Sequence, residues 1–270
     1  MRQPVLIAIL SCVIFSNLFS QVFENDDLKI SVLEDLIWVI ETTDNTAMYL
    51  VEGSDKALLI DTGTKCDSLD KIMRQITSKP VDVVITHGHR DHSGNIKYFD
   101  TIYMHPADTI FIDSSYKGVI KFVSEGDFFD LGNKVTEVYH MPGHTPGSIV
   151  LTDKHSKCCF TGDAFGSGLV WLQMRPYAYM QTYINSCSKM ETLMDSGIEK
   201  IYCGHYPYLK KALYKDYIMN MKKLANAIYD DTAQGAKPYS IKVSISCDNP
   251  MEVWYNDVGI IYNPDHIKSK

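Results

Sequence analysis

Four side chains able to bind a divalent cation crowd into six residues of this chain: His87, His89, Asp91 and His92, within Thr86-His87-Gly88-His89-Arg90-Asp91-His92. Imidazole and carboxylate groups are good zinc ligands at neutral pH. The cluster follows directly on the apolar run Val81–Thr86. His87 and His89, two apart, project together from an extended strand end. Gly88 eases the turn after which Asp91 and His92 face a second ion. A lone histidine is usually hydrogen-bonded or solvated. Four such groups at the end of an apolar strand are hard to accommodate as core, because unpaired polar groups there cost stability.

Three later positions share this setting. His144 lies in Met141-Pro142-Gly143-His144-Thr145-Pro146-Gly147, Asp163 in Phe160-Thr161-Gly162-Asp163, and His205 in Tyr202-Cys203-Gly204-His205. Each follows a strand-like run and has glycine before it. Loops after strands are where sites on layered α/β folds are assembled.

The ordered set His-x-His-x-Asp-His, Gly-His-Thr-Pro-Gly, Thr-Gly-Asp and Gly-His resembles the metallo-β-lactamase superfamily, in particular its binuclear hydrolase branch with glyoxalase II and the acyl-homoserine lactonases. Leu58-Leu59-Ile60-Asp61-Thr62-Gly63 resembles that family's first motif, so the likeness runs from about Ala47 to His205. It implies an αββα four-layer sandwich and two Zn²⁺ per chain, with Mn or Fe as alternatives. His87, His89 and His144 would hold the first metal. Asp91, His92 and His205 would hold the second, with Asp163 bridging the two. Asp61 would support the ligand loop without binding metal.

Two cations sharing one water would bring its pKa toward neutrality and supply hydroxide for attack on a carbonyl or phosphoryl centre. Asp91 would orient that nucleophile or pass its proton to the leaving group, and Tyr206 or Tyr177 would offer a phenol to the developing oxyanion. The competing readings are a class B-like β-lactamase, a mononuclear iron persulfide dioxygenase, and a non-catalytic metal-binding protein. Asp163 stands where one β-lactamase subclass has cysteine, and the complete second ligand set disfavours one iron. His105, His140, His155 and His266 match no motif, and His140 is expected to support the His144 loop.

The elements that must position these groups are legible in outline. Lys29–Val32, Leu36–Glu41, Ala47–Glu52 and Ala57–Asp61 read as strands separated by turn residues. Asp67–Ser78 reads as a helix ended before Pro80. Val81–Thr86 suits a strand buried on both faces. Thr101–Met104, Lys134–His140, Ser148–Thr152, Lys157–Thr161 and Lys200–Cys203 follow as strands. Tyr183–Asp195 and Lys210–Asp231 follow as helices, and Ser240–Ser246 and Val253–Tyr262 as two closing strands. No linker rich in Pro, Gly or Ser divides the chain, so residues 21–270 are expected to form one layered α/β domain.

Arg2, the apolar stretch Val5–Phe15 and Ser16 to Ser20 have the layout of a secretory signal over residues 1–20, giving a periplasmic or secreted protein. The stretch is short for a membrane span, so no membrane association is expected after cleavage. Leu10-Ser11-Cys12 offers a lipoprotein alternative. Losing residues 1–20, which hold Arg2 and no acid, takes the net charge from −7 to −8. That acidity, with no basic concentration, argues against nucleic acid as partner and for a small-molecule substrate. Six cysteines outside that segment are scattered, with no CxxC pair, and read as buried free thiols.

Ala164–Tyr179 is the most individual stretch. Its Leu169-Val170-Trp171-Leu172, Met174, Tyr177, Tyr179 and Met180 read either as a packed connection or as an apolar pocket wall beside the metals. The second reading leads to an ester, lactone or related acyl bond in a small apolar substrate. Lys210–Asp231 followed by strands does not resemble the basic glutathione-binding region of the glyoxalases.

Overall fold

The computed structural model describes residues 21–269. The expected signal segment, residues 1–20, lies outside them. Eight strands form the first sheet in chain order: β1 (Gln21–Glu24), β2 (Leu28–Glu34), β3 (Ile37–Thr42), β4 (Ala47–Glu52), β5 (Ala57–Ile60), β6 (Val81–Ile85), β7 (Thr101–Met104) and β8 (Val119–Phe122). They pair antiparallel as far as β5 and parallel from β5 to β8. Strands β9 (Phe128–Asp130), β10 (Val135–His140), β11 (Ile149–Asp153) and β12 (Cys158–Phe160) begin the second sheet. After β13 (Leu169–Trp171) departs, β14 (Lys200–Tyr202) completes it, parallel to β12.

Three apolar layers hold these sheets between helices. The apolar run of β6 splits between two of them: Val84 faces the space between the sheets, with Tyr49, Ile149 and Phe160, while Val83 and Ile85 face the outer layer. That outer layer is capped by α1 (Leu69–Ile76), whose Leu69, Ile72 and Met73 recur at helical spacing and are buried. The chain turns extended at Thr77, as Pro80 demands soon after. On the far face of the second sheet, helix pairing closes the fourth layer. The short turn α2 (Arg90–Ser93) belongs to the site. The long α3 (Met180–Asp195) buries Tyr183, Ile184, Cys187, Met190 and Met194. After the short α4 (Tyr206–Leu209), α5 (Lys215–Tyr229) buries Ile218, Met221, Leu224, Ala225 and Ile228 against it. The expected αββα sandwich is present.

The C-terminal region departs from expectation. Val253–Tyr262 is a hairpin, β16 (Met251–Tyr255) and β17 (Val258–Tyr262), turning at Asn256, whose φ is 53°. With β13 and the two-residue β15 (Lys237–Pro238) it makes a third, four-stranded sheet in the order β13-β17-β16-β15. Ser240–Ser246 is not a strand. It is irregular, touching the fold through an isolated bridge from Ser246 to Met174. Its alternating apolar pattern arises because Ile241, Val243 and Ile245 face a cavity, not a sheet neighbour. The helix expected over Lys210–Asp231 begins only at Lys215, after α4. All six cysteines among the described residues are free and buried. No described helix is long and apolar enough to cross a membrane.

Candidate metal centre

Each side chain expected to bind a cation sits just beyond a strand, and parallel pairing puts those strand ends side by side. β5 and β6 deliver Asp61 and the His87–His92 loop to one edge of the first sheet. β12 and β14 deliver Asp163 and His205 to the matching edge of the second. Backbone bonds lock the edges together: Ile149 N–H donates to Thr86 O at 2.9 Å, Gly204 N–H to Gly162 O at 2.8 Å, and Thr62 N–H to His92 O at 2.7 Å.

The result is two adjoining groups, His87, His89 and His144 in one, and Asp91, His92, Asp163 and His205 in the other. Within each, the potential ligand atoms lie within 4.8 Å of one another. Asp163 lies between them: its carboxylate is 3.7 Å from His144 Nε2, 3.2 Å from His205 Nε2 and 3.5 Å from His92 Nε2.

Hydrogen bonds behind the rings decide which nitrogen faces inward. His92 Nδ1–H donates to Asp61 Oδ2 at 2.8 Å, His144 Nδ1–H to Trp171 O at 2.9 Å, and His205 Nδ1–H to Asn45 O at 3.0 Å. Thr86 Oγ1 gives its proton to Asp61 Oδ2 at 2.8 Å and so accepts from His87 Nδ1–H at 3.2 Å. In all four rings Nε2 is therefore the nitrogen left facing the centre, free to offer a lone pair to a cation once the ring is neutral. His89 turns its other nitrogen inward, Nδ1 lying 3.0 Å from His144 Nε2. Nε2 of His87, His89 and His92 and Oδ1 of Asp163 are buried with no hydrogen-bond partner. Buried polar atoms left unpaired are costly. Converging lone pairs on nitrogen and oxygen fit divalent cations, and the donor set suits zinc.

Electrostatics divides the two groups. Burial pushes His87 well below its ordinary value, and burial with His144 beside it brings His89 down to about 3. Burial also opposes charge on His205, but Asp163 and Asp91 overcome it and raise the imidazole to about 12. Burial opposes ionisation of Asp91, and His92 and His205 override it, holding the carboxyl at about 2. The first group is thus three neutral imidazoles, and the second a mutually charged cluster of carboxylates and imidazoles.

Close packing leaves no room for side chains between the loops. A Cβ on Gly204 would fall 2.5 Å from both Asp163 Oδ1 and His92 Cε1. One on Gly162, at φ 48°, would fall 2.2 Å from Thr86 Oγ1.

The centre opens on a cavity of about 940 Å³. His89, Asp91, His144, Asp163 and His205 form its polar end. Leu169, Trp171 and Met174 come from the segment singled out in the sequence, so the pocket-wall reading of that stretch applies to them. Neither expected phenol lines it. Tyr206 is 4% exposed and packs into the core between the sheets beside Tyr202, because α4 turns its first residue inward. Tyr177 instead accepts a bond from Arg175 Nε at 2.8 Å. Tyr208, on the other face of α4 with its ring 5.8 Å from His205, and Tyr239 line the cavity in their place.

Sequence reasoning missed Asp108, fully buried in the turn Pro106–Phe111. Its carboxylate accepts from Gly88 N–H at 2.9 Å and Gly147 N–H at 2.6 Å. A lone Asp after His-Pro-Ala matched no ligand spacing, so only its surroundings reveal it. Of the unassigned histidines, His140 donates to Pro146 O at 2.8 Å, bracing the His144 loop, and stacks on His105 at 4.1 Å. His155 is exposed, and His266 stacks on Tyr179 at 4.2 Å.

Comparison with known proteins agrees with this architecture. Residues 42–205 match the family model described as Metallo-beta-lactamase superfamily. Acyl-coenzyme A thioesterase MBLAC2 of Gallus gallus is 30% identical over 208 residues, covering 62% of this chain and 74% of that protein. A hydroxyacylglutathione hydrolase of Francisella philomiragia is 29% identical over 133 residues, 49% of this chain and 52% of that one. The crystal structure of a metallo-beta-lactamase from Erythrobacter litoralis superposes with a TM-score of 0.59 at 18% identity, covering 77% of this chain and 99% of that one.

Proposed function

The chain belongs to the metallo-beta-lactamase superfamily as a metal-dependent hydrolase, and from that premise we propose that it is a binuclear zinc enzyme cleaving an acyl ester bond, most specifically a thioester. The observation that carries the two-metal reading is the convergence of unpaired Nε2 atoms and Asp163 Oδ1 on two adjoining points. His87, His89 and His144 would hold one cation, Asp91, His92 and His205 the other, and Asp163 both. When bound, the pair supplies Lewis acidity and a water acidic enough to act as nucleophile at neutral pH.

The protein's own contribution is orientation and proton handling. Asp61, Trp171 O and Asn45 O hold the imidazoles in one tautomer and one direction. The Asp91 side chain, 41% exposed at the cavity floor, is placed to carry a proton from the nucleophile toward the leaving thiol. Leu169, Trp171 and Met174 keep the acyl side of the cavity dry. The thioester preference draws on two relatives whose names put an acyl group on coenzyme A or glutathione. Lys65 and Arg90, exposed at the same cavity, suit an anionic carrier.

Metal analysis of protein purified without added metal, combined with a panel of thioesters, lactones, β-lactams and phosphodiesters, tests this. About two zincs per chain and thioester turnover are expected. Fast cephalosporin turnover, or a single iron with oxygen uptake on a persulfide, would replace the proposal.

A further inference from the structure

All seven side chains of the candidate metal centre lie between residues 87 and 205, inside the matched family region, but six of the nineteen residues lining the cavity do not. Tyr239, Ile241, Val243, Ser244 and Ile245 come from the irregular segment ahead of β16. This strap is tied at two ends. Tyr239 N–H donates to Pro250 O at 2.8 Å. Beyond the strap's middle, Arg175 N–H donates to Ile245 O at 2.8 Å and Cys247 N–H to Gln173 O at 2.9 Å. Tyr239 meets Trp171 edge to face at 5.7 Å, and the Trp171 carbonyl is the acceptor that orients His144. Apolar wall and metal centre are therefore continuous through one residue.

Two features of the strap point to the shape of what it meets. Ile241 is 58% exposed and Val243 44%, although both are β-branched aliphatics lining the cavity. Contiguous exposed apolar surface beside a site marks where a ligand brings apolar surface of its own. A compact ring or short acyl group held at the metals would leave that surface wet. Along the wall from Gly166 to Ile245, His205 at the metal end is the one charged lining side chain among the described residues, and the rest are apolar residues, glycine, serine or tyrosine, so the occupant has no charge to match beyond the centre.

We infer that the acyl part of the substrate is a long, flexible alkyl chain running from the metal centre along Trp171 and Met174 to the strap, where Ile241, Val243 and Ile245 set the chain-length preference. The inference rests on the acyl-hydrolase reading and narrows it from a small apolar substrate to a long-chain one.

The test is a series of thioesters of one carrier with short, medium and long saturated acyl chains. Wild type should gain in kcat/KM with each added methylene, by up to about fourfold while the methylene is fully buried. The gain should appear in KM. The double variant I241S/V243S changes two exposed side chains and so keeps its fold. Its long-chain to acetyl ratio of kcat/KM should fall by more than tenfold. A flat series in wild type, or an unchanged ratio in the variant, overturns the inference and leaves the hydrolase intact. Binding of non-hydrolysable S-alkyl thioethers, read by Trp171 fluorescence against W171F, separates the two ideas. Length-graded binding without any thioester turnover would retain the alkyl subsite and reject the hydrolase reading, whereas binding independent of length would reject the subsite.

Discussion

Thr145 donates its hydroxyl to Asp108 at 2.7 Å, so the loop that carries His144 hangs on the same carboxylate as the loop that carries His87 and His89. One buried side chain thereby sets the spacing of three imidazoles carried on two loops that are 55 residues apart in sequence at their nearest. Burial raises the Asp108 carboxyl, and the three donors around it work against that rise.

Removing this tie should loosen the centre. Asp108→Ala leaves the buried Gly88 and Gly147 N–H groups without acceptors, a cost of about 3 kcal/mol, or roughly 10 °C in Tm. Thermal unfolding of the chelator-treated protein measures this apart from metal. An unchanged Tm would show the tie to be dispensable.

Asp61 acts one step behind the centre. It accepts from Thr86 N–H at 2.7 Å as well as from Thr86 Oγ1 and His92 Nδ1. Asp61→Asn turns one acceptor into a donor facing other donors, so metal affinity should fall roughly 10- to 100-fold. Competition with a chromophoric chelator gives the number, and wild-type affinity in the variant would remove Asp61 from the metal's support.

Asp163 lies between the two clusters, 3.7 Å from His144 Nε2 and 3.2 Å from His205 Nε2. Asp163→Ala should fold, retain at most one cation tightly and lose well over tenfold in turnover. Metal stoichiometry is the primary measurement. Two tightly held cations in the variant would reject the bridging role.

The metal-free protein should have a distinctive pH profile. Asp91 is depressed to about 2 from 3.8, so its stabilising effect is complete above its unfolded value and is lost as pH falls toward 2. His205 is raised to about 12 from 6.5, so its effect is complete below 6.5 and declines as pH rises through the alkaline range. Chelator-treated protein should therefore be most stable between these limits and lose Tm from neutral toward pH 9. The metal-loaded protein, which needs neutral imidazoles, should not. Parallel profiles for the two forms would contradict the charged cluster.

Lys65 and Arg90 bring positive charge to the cavity mouth. The double alanine variant should raise KM several-fold for a phosphate-bearing carrier, lose the salt dependence of KM, and spare kcat. Equal KM for charged and uncharged carriers in wild type would remove them from recognition.

The convergence of these seven side chains was legible because metal chemistry restricts residue type and spacing together. His87, His89, Asp91 and His92 cannot be crowded at a buried strand end without a cation or a cost, and glycine beside His144, Asp163 and His205 marks close backbone approach. The alternation of Val83, Val84 and Ile85 between two apolar layers likewise follows from strand periodicity. Folding alone decided what periodicity does not encode. Ile241, Val243 and Ile245 alternate like a strand yet face a cavity, because an extended segment turns alternate side chains to one side whether or not a sheet neighbour pairs with it. Tyr206 and Tyr208 lie two apart on one short helix, and rotation about its axis, set by packing on Tyr202, sends the first into the core and leaves the second at the cavity. Asp108 became meaningful only when distant backbone N–H groups arrived around it, since a hydrogen-bond acceptor carries no signature of its future donors.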